Sequence, residues 1–258
     1  MNGGASTAAE RDRLPDPGAG FVWDHGDAVP VLRAVVDGVR AGFTTRLGGV
    51  SEGPFASLNV SMVEGEDANR VVRNRRRASD VVGVTDTWTP IRQVHGSNVV
   101  RAGSHRGGVP DADGAWTDEP DRVVCVRAAD CVPVLLLGDG RVCTAHAGWR
   151  GCMAGVVGSG VDAVDAREVF AGPAIGPCCF EVGSEVVSAF RDRFGSTVVA
   201  DARHVDLWAA VEVAASEAGA DHVRSARLCT SCHAELFFSH RRDNGRTGRQ
   251  ALLASIEA

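Results

Sequence analysis

The sequence contains no lysine and no tyrosine, so all 27 of its basic side chains are arginines. The first absence excludes Schiff-base chemistry on a lysine, and the second removes tyrosine as a general acid. No apolar run approaches the roughly 18 residues that a membrane span needs. The longest, around Val132 to Leu137, has the length of a strand. Nor does a basic segment lead into an apolar stretch near the start. Met1 to Gly20, rich in Gly, Ala, Pro and charge, therefore reads as a disordered lead-in to a cytoplasmic protein rather than as a signal peptide. Positive charge is in deficit: 33 acidic side chains give a formal net charge of −6, which argues against nucleic acid or an anionic membrane as the main partner. Small molecules remain.

The 258 residues are 44% hydrophobic, enough to bury a substantial core, and residues 21–258 read as a single domain. Eight cysteines in such a chain read as reduced core residues or metal ligands, not as a disulfide framework. Two apolar runs, VLRAVV and VRAGFTT, flank Asp37-Gly38 and predict a β-hairpin at the start of the ordered chain. Asp67 to Val82 has a helical pattern, with Val71, Val72, Ala78 and Val81 available for one face. Its arginines, from Arg70 to Arg77, form a solvated face. Between Thr87 and Ala147 the β-like stretches are TWTPIRQVH, SNVVRA, RVVCVRA, VPVLLL and RVCTAHA, the last two joined through Gly138-Asp139-Gly140. Helical patterns follow at Gly151 to Val164, Ser184 to Phe194 and Asp206 to Ala218, with strand-like REVFAG and HVRSARL among them. Consecutive β segments without regular βαβ alternation favour a layered α+β fold over a doubly wound one.

His95 closes TWTPIRQVH, Cys131 precedes the VPVLLL run, and His146 closes RVCTAHA. Cys131 and His146 thus sit on adjacent predicted strands. Two imidazoles and one thiolate suit Zn²⁺, which takes nitrogen and sulfur ligands in a tetrahedron and keeps its fourth position open in catalytic sites. The spacing contains no short ligand motif, and each residue alone is as compatible with a structural role.

Seven segments, in order, change that weighting: RLGGVS at Arg46 to Ser51, QVHG at Gln93 to Gly96, DADG at Asp111 to Gly114, ADCVPVLL at Ala129 to Leu136, HAGWRG at His146 to Gly151, GPAIGPCCFEVG at Gly172 to Gly183, and FFSHRRD at Phe237 to Asp243. Together they resemble the YfiH-like family, first described as laccase-domain or multicopper polyphenol oxidases and later as purine nucleoside phosphorylases with adenosine deaminase activity. The resemblance runs from about Phe43 to Gln250. It implies a single catalytic domain with α/β/β/α layers and a zinc ion on the histidine of QVHG, the cysteine of ADC and the histidine of HAGWRG: His95, Cys131 and His146. It also implies a purine nucleoside and inorganic phosphate as reactants, in a monomer or small homo-oligomer. Phosphorolysis needs an anion site beside the metal, and Arg46, in a glycine-rich loop, is the first candidate because a guanidinium binds phosphate through two parallel hydrogen bonds. Asn59 could orient a sugar hydroxyl or cap a turn. Asp111, Asp113 and Asp130 could act as bases or fix a ligand histidine. Arg150 could line the pocket or pair with a carboxylate.

Several competing readings accompany this one. The His₂Cys set could hold a single copper ion, in keeping with the polyphenol oxidase label, although a multinuclear oxygen-reducing centre needs more imidazoles. The same residues could serve a cysteine hydrolase, with Cys131 as nucleophile, or a cell-wall-related factor. Cys229-Thr230-Ser231-Cys232-His233 matches the haem-attachment pattern, which the absence of an export signal disfavours. These thiols could hold a second metal or form a redox pair, but ordinary thiols are the simpler reading. Cys178-Cys179 reads as structural, since adjacent cysteines strain to chelate one ion. Many relatives carry Tyr where this chain has His240, which leaves that position's role open.

Overall fold

The computed structural model describes residues 14–24, 29–105 and 107–258. The first thirteen residues of the expected lead-in lie outside these. From Leu14 onward the lead-in touches the body of the protein: Leu14 packs against the core, and the Trp23 indole donates to the Pro15 carbonyl at 2.8 Å.

Among the described residues eleven strands make two sheets. One is antiparallel, in the order β1 (Phe21–Asp24), β2 (Val31–Ala34), β3 (Val39–Thr44), β11 (Gln250–Ile256), β6 (Val124–Ala128). The other is mixed, in the order β10 (His222–Ser225), β9 (Glu168–Ala171), β7 (Val132–Gly138), β8 (Arg141–Ala147), β5 (Gly114–Thr117), β4 (Val99–Arg101). The Asp37-Gly38 hairpin forms with Leu32 opposite Phe43.

The sheets stack face to face with helices outside both. Alternation along each strand decides which layer a side chain enters. On β7, Leu135 joins Phe43, Val126, Phe170 and Leu252 between the sheets, whereas Val134 and Leu136 face the opposite way. There they meet helices α2 (Trp149–Ala154), α3 (Val156–Val164), α4 (Ser184–Phe194) and α5 (Leu207–Glu217). Helix α1 (Ala68–Val82) covers the far side of the five-stranded sheet, with Ala78 and Val82 on Val31, Cys125 and Leu253. The α/β/β/α layering expected from the sequence is therefore present. Burial on both faces explains why β7 reads as a continuous apolar run. Truncating a wholly buried side chain such as Leu135 to alanine costs about 2–5 kcal/mol.

Local differences have local causes. TWTPIRQVH is not a strand: Trp88 and Arg92 make only isolated bridges, and the segment ends in a turn at His95. The expected helix from Gly151 to Val164 is two helices, broken at Gly155 with φ of 92°. Strands β1, β5 and β11 were not expected; β11 lies inside its sheet, taking both edges left by β3 and β6. On α1, Arg73, Arg76 and Arg77 are exposed as expected, while Arg75 donates to the Val60 carbonyl and stacks on Trp88.

Candidate metal centre

The β7–β8 hairpin delivers two of the three predicted ligands. Its register sets Val132 opposite Ala147 and Pro133 opposite His146, so Cys131, one residue before β7, emerges beside the end of β8. The third arrives from the turn at Gln93 to Gly96. There His95 adopts φ of 60°, a left-handed conformation that costs a side-chain-bearing residue free energy.

Asp113 maintains that conformation. Its wholly buried carboxylate accepts the backbone N–H groups of Val94 (3.1 Å), His95 (2.9 Å) and Gly96 (2.7 Å). It also accepts Nδ1–H of His146 at 2.9 Å, which leaves Nε2 of that ring as the free donor. One side chain thus fixes the backbone of one histidine and the tautomer of another. The donor atoms of His95, Cys131 and His146 all lie within 4.8 Å of one another, with Sγ of Cys131 3.9 Å from Nε2 of His95. A tetrahedral zinc with one sulfur and two nitrogen ligands has S···N edges of about 3.6 Å, so the donors fit one ion. Gly148 makes room: a Cβ there would stand 2.8 Å from Sγ of Cys131 and 3.1 Å from the His95 ring.

The electrostatics favour charged donors. Burial alone would raise the Asp113 carboxyl, but the bonds from His146, Gly96 and Val94 outweigh it and hold it below the ordinary value. Burial likewise opposes ionisation of Cys131, yet the charge and hydrogen bonds of His146, with help from His95, bring its thiol down to about 6. Burial pulls His146 down, and the Cys131 thiolate and Asp113 together carry it up to about 9. Without a metal, the thiolate–imidazolium pair is thus the favoured form at neutral pH.

The three residues sit in a cleft of about 700 Å³, within the range of small-molecule sites. Five arginines line it, Arg92, Arg127, Arg150, Arg241 and Arg249, against one carboxylate, Asp130. In a chain of net charge −6 this is a local reversal of sign. Arg92 is paired with Asp111, and Arg127 bonds Gln93 and the Ile91 carbonyl. Arg249 is held by the Thr247 and Gly248 carbonyls; burial lowers its pKa against the charges of Cys131 and Asp130. Arg150 stacks on Trp149 with its guanidinium carbon 4.4 Å from the ring centroid. Trp149, Phe180, Ile175 and Met62 supply apolar surface, and His240 reaches the same space.

Arg46 and Asn59 do not join this group. Arg46 donates to the carbonyls of Ala56 (2.9 Å) and Ala234 (3.0 Å) and stacks on Phe238, so its fork is committed to holding loops together. Asn59 is wholly buried, donating to Ser61 and Glu66 and accepting from the backbone of Ser61 and Arg249. Asp113 stands behind the ligands and not in the cleft, Arg150 lines it, and Asp111 is exposed on its salt bridge. Asp130, at φ of 90°, accepts from Thr230 and from the backbone of Arg241, each at 2.7 Å. Arg241 and Arg249 went unnoticed in the sequence. Arg249 directly precedes β11, and only that strand's place in the sheet distinguishes it from the other arginines.

All eight cysteines are free thiols. Cys125, Cys143 and Cys152 are core residues, and burial raises each thiol. Cys178, Cys179, Cys229 and Cys232 form a second group, with sulfurs within 4.8 Å of one another.

Comparison with known proteins agrees with the fold. The chain is 39% identical over 241 residues to the purine nucleoside phosphorylase YlmD of Geobacillus stearothermophilus, covering 82% of this chain and 88% of that protein. It is 35% identical over 225 residues to the purine nucleoside phosphorylase YfiH of Escherichia coli, covering 83% and 92%. The crystal structure of the Geobacillus protein superposes with a TM-score of 0.80 at 36% identity, covering 88% of this chain and 96% of that one. Residues 40–257 match the sequence pattern of one family throughout, and the chain belongs to that family, described as multi-copper polyphenol oxidoreductase laccase.

Proposed function

We propose that this chain cleaves purine nucleosides with inorganic phosphate, using one Zn²⁺ held by His95, Cys131 and His146, and that it also deaminates adenosine at the same site, in the cytoplasm. The observation that carries the proposal is the meeting of a three-donor set with an arginine-lined cleft in an acidic protein. The names of relatives at 35–39% identity support the substrate class. His95, Cys131 and His146 would hold the ion, which when bound would supply Lewis acidity to the cleft.

The chain's own residues do the rest. Asp113 keeps the Nδ1 proton on His146 and holds the His95 turn, so the donors are positioned before anything binds. Arg249 and Arg150 replace Arg46 as the anion holders: both line the cleft, and Arg249 is already desolvated. A phosphate there gains charge-assisted hydrogen bonds worth about 1.5–3 kcal/mol each. Trp149, Phe180 and Ile175 offer flat and apolar surface to a purine while excluding water from it.

Among the described residues, two groups of His, Cys and carboxylate donors are close enough to hold a metal, and only one contains imidazoles. Two imidazoles suit one ion and fall short of a multinuclear copper centre. A second reading, a thiol hydrolase, has one observation in its favour, the depressed Cys131 thiol. Incubating adenosine with zinc-loaded protein, with and without phosphate, separates the readings. Adenine formed only with phosphate is the expected result, with inosine formed in either case. No turnover of any purine nucleoside, or ester hydrolysis that survives removal of zinc, overturns the proposal.

A further inference from the structure

We propose that Cys178, Cys179, Cys229 and Cys232 form a second metal site, a closed tetrathiolate for one Zn²⁺, that clamps together the two loops behind the catalytic cysteine. The sulfur geometry carries the argument. Sγ of Cys232 lies 3.6 Å from that of Cys178 and 3.5 Å from that of Cys179, and all four sulfurs are within 4.8 Å of one another. A tetrahedron with Zn–S bonds of about 2.3 Å has S···S edges of about 3.8 Å. Cys232 is thus placed equally toward two partners, as a shared ion requires, whereas a disulfide would use one and strand the other.

The backbone is arranged for thiolates. Sγ of Cys229 accepts the N–H of Gly176 at 3.2 Å, so a backbone donor from one loop already meets a sulfur of the other. Gly176 allows the loops to close: a Cβ there would be 3.2 Å from Sγ of Cys178 and 3.3 Å from Cβ of Cys229. Cys178 and Cys232 are exposed, which gives an ion access, while Cys229 is buried at the base. Four sulfurs leave no open position, so the role is structural and separate from the chemistry proposed above.

Its purpose follows from what the two loops hold. One follows β9 and the other β10, joined side by side where Thr230 donates its N–H to the Ala174 carbonyl. Both then grip Asp130: Ile175 N–H donates to its carbonyl at 2.9 Å and the Thr230 hydroxyl to its carboxylate at 2.7 Å. Asp130 is the strained residue immediately before Cys131, and Ile175 and Phe180 are cleft wall. The clamp therefore stiffens the backbone that presents the catalytic thiolate.

The test uses full-length protein purified with a thiol reductant and without chelator. Zinc content is expected to fall by one ion per chain in Cys232→Ser and in Cys178→Ser, with Tm about 5 °C or more lower. The Cys131→Ser protein, stripped and titrated with Co²⁺, is expected to show the intense thiolate-to-cobalt absorption of a tetrahedral four-sulfur site. That readout is independent of nucleoside cleavage and of whether Cys178→Ser and Cys232→Ser fold. A Cys131→Ser protein without that spectrum overturns the proposal, as does unchanged zinc content in both serine variants or a Cys178–Cys232 or Cys179–Cys232 disulfide in the purified protein.

Discussion

The two clusters of soft donors are built in opposite ways. His95, Cys131 and His146 come from three places up to 51 positions apart, and what unites them is the β7–β8 register and one buried carboxylate, Asp113. The four cysteines come as two short local pairs, Cys178-Cys179 and Cys229-x-x-Cys232, united by two parallel loops. The first cluster has three donors and opens on a cleft. The second has four and closes on itself. Donor number and the rigidity of what lies behind the donors thus separate a place for chemistry from a place for fastening.

Breaking the first cluster should have the largest effect. Cys131→Ser is expected to lower phosphorolysis about 1,000-fold or more, the loss of several kcal/mol of Lewis-acid stabilisation, with zinc released from this site alone. Asp113→Asn should reduce zinc affinity or turnover by about 10- to 100-fold, measured by competition with a chelating dye, because both histidines lose their orienting acceptor. Next, Arg249→Gln should raise KM for phosphate about 10-fold or more with a smaller change in kcat, from loss of a charge-assisted hydrogen bond. Arg46→Ala should instead leave KM for phosphate near its starting value and lower stability by about 0.5–1.5 kcal/mol in urea unfolding, through loss of its hydrogen bonds to the Ala56 and Ala234 carbonyls.

The smallest effect is a matter of pH. In zinc-stripped protein, alkylation of Cys131 should rise with a midpoint near 6, since the native thiol is held down to about 6 by His146. His146→Gln should move that midpoint upward. Because the folded thiol is depressed, its ionised form stabilises the metal-free protein most above the ordinary thiol pKa, and this contribution fades as pH falls through about 6. A midpoint near the ordinary thiol value in the unaltered chain would show that the pair is not formed.

What was legible in the sequence follows the same division. Local signals held: the Asp37-Gly38 hairpin, the helical pattern from Asp67 to Val82 that became α1, and α4 at Ser184–Phe194. Long-range placement did not show. β11 is the last of the described strands but lies inside its sheet, between β3 and β6, and nothing in QALLASI says which edges it will fill. Arg249 was missed for that reason. Arg46 looked like a phosphate ligand because a glycine-rich loop carries no record of the carbonyls that will compete for its guanidinium. His95 was read as the end of a strand because the acceptor that bends it, Asp113, is distant in sequence. The adjacent cysteines were set aside for local strain, whereas the partners that make sense of them arrive from the loop after β10.

The central claim is that one zinc ion on His95, Cys131 and His146 serves phosphate-dependent cleavage of purine nucleosides. Its most direct test is the initial rate of hypoxanthine release from inosine against phosphate concentration, for the zinc-loaded chain and Cys131→Ser in parallel. Saturable, phosphate-dependent release with ribose 1-phosphate as co-product, abolished in the variant, is the expected result. Release that does not depend on phosphate, or that persists in Cys131→Ser, would contradict it.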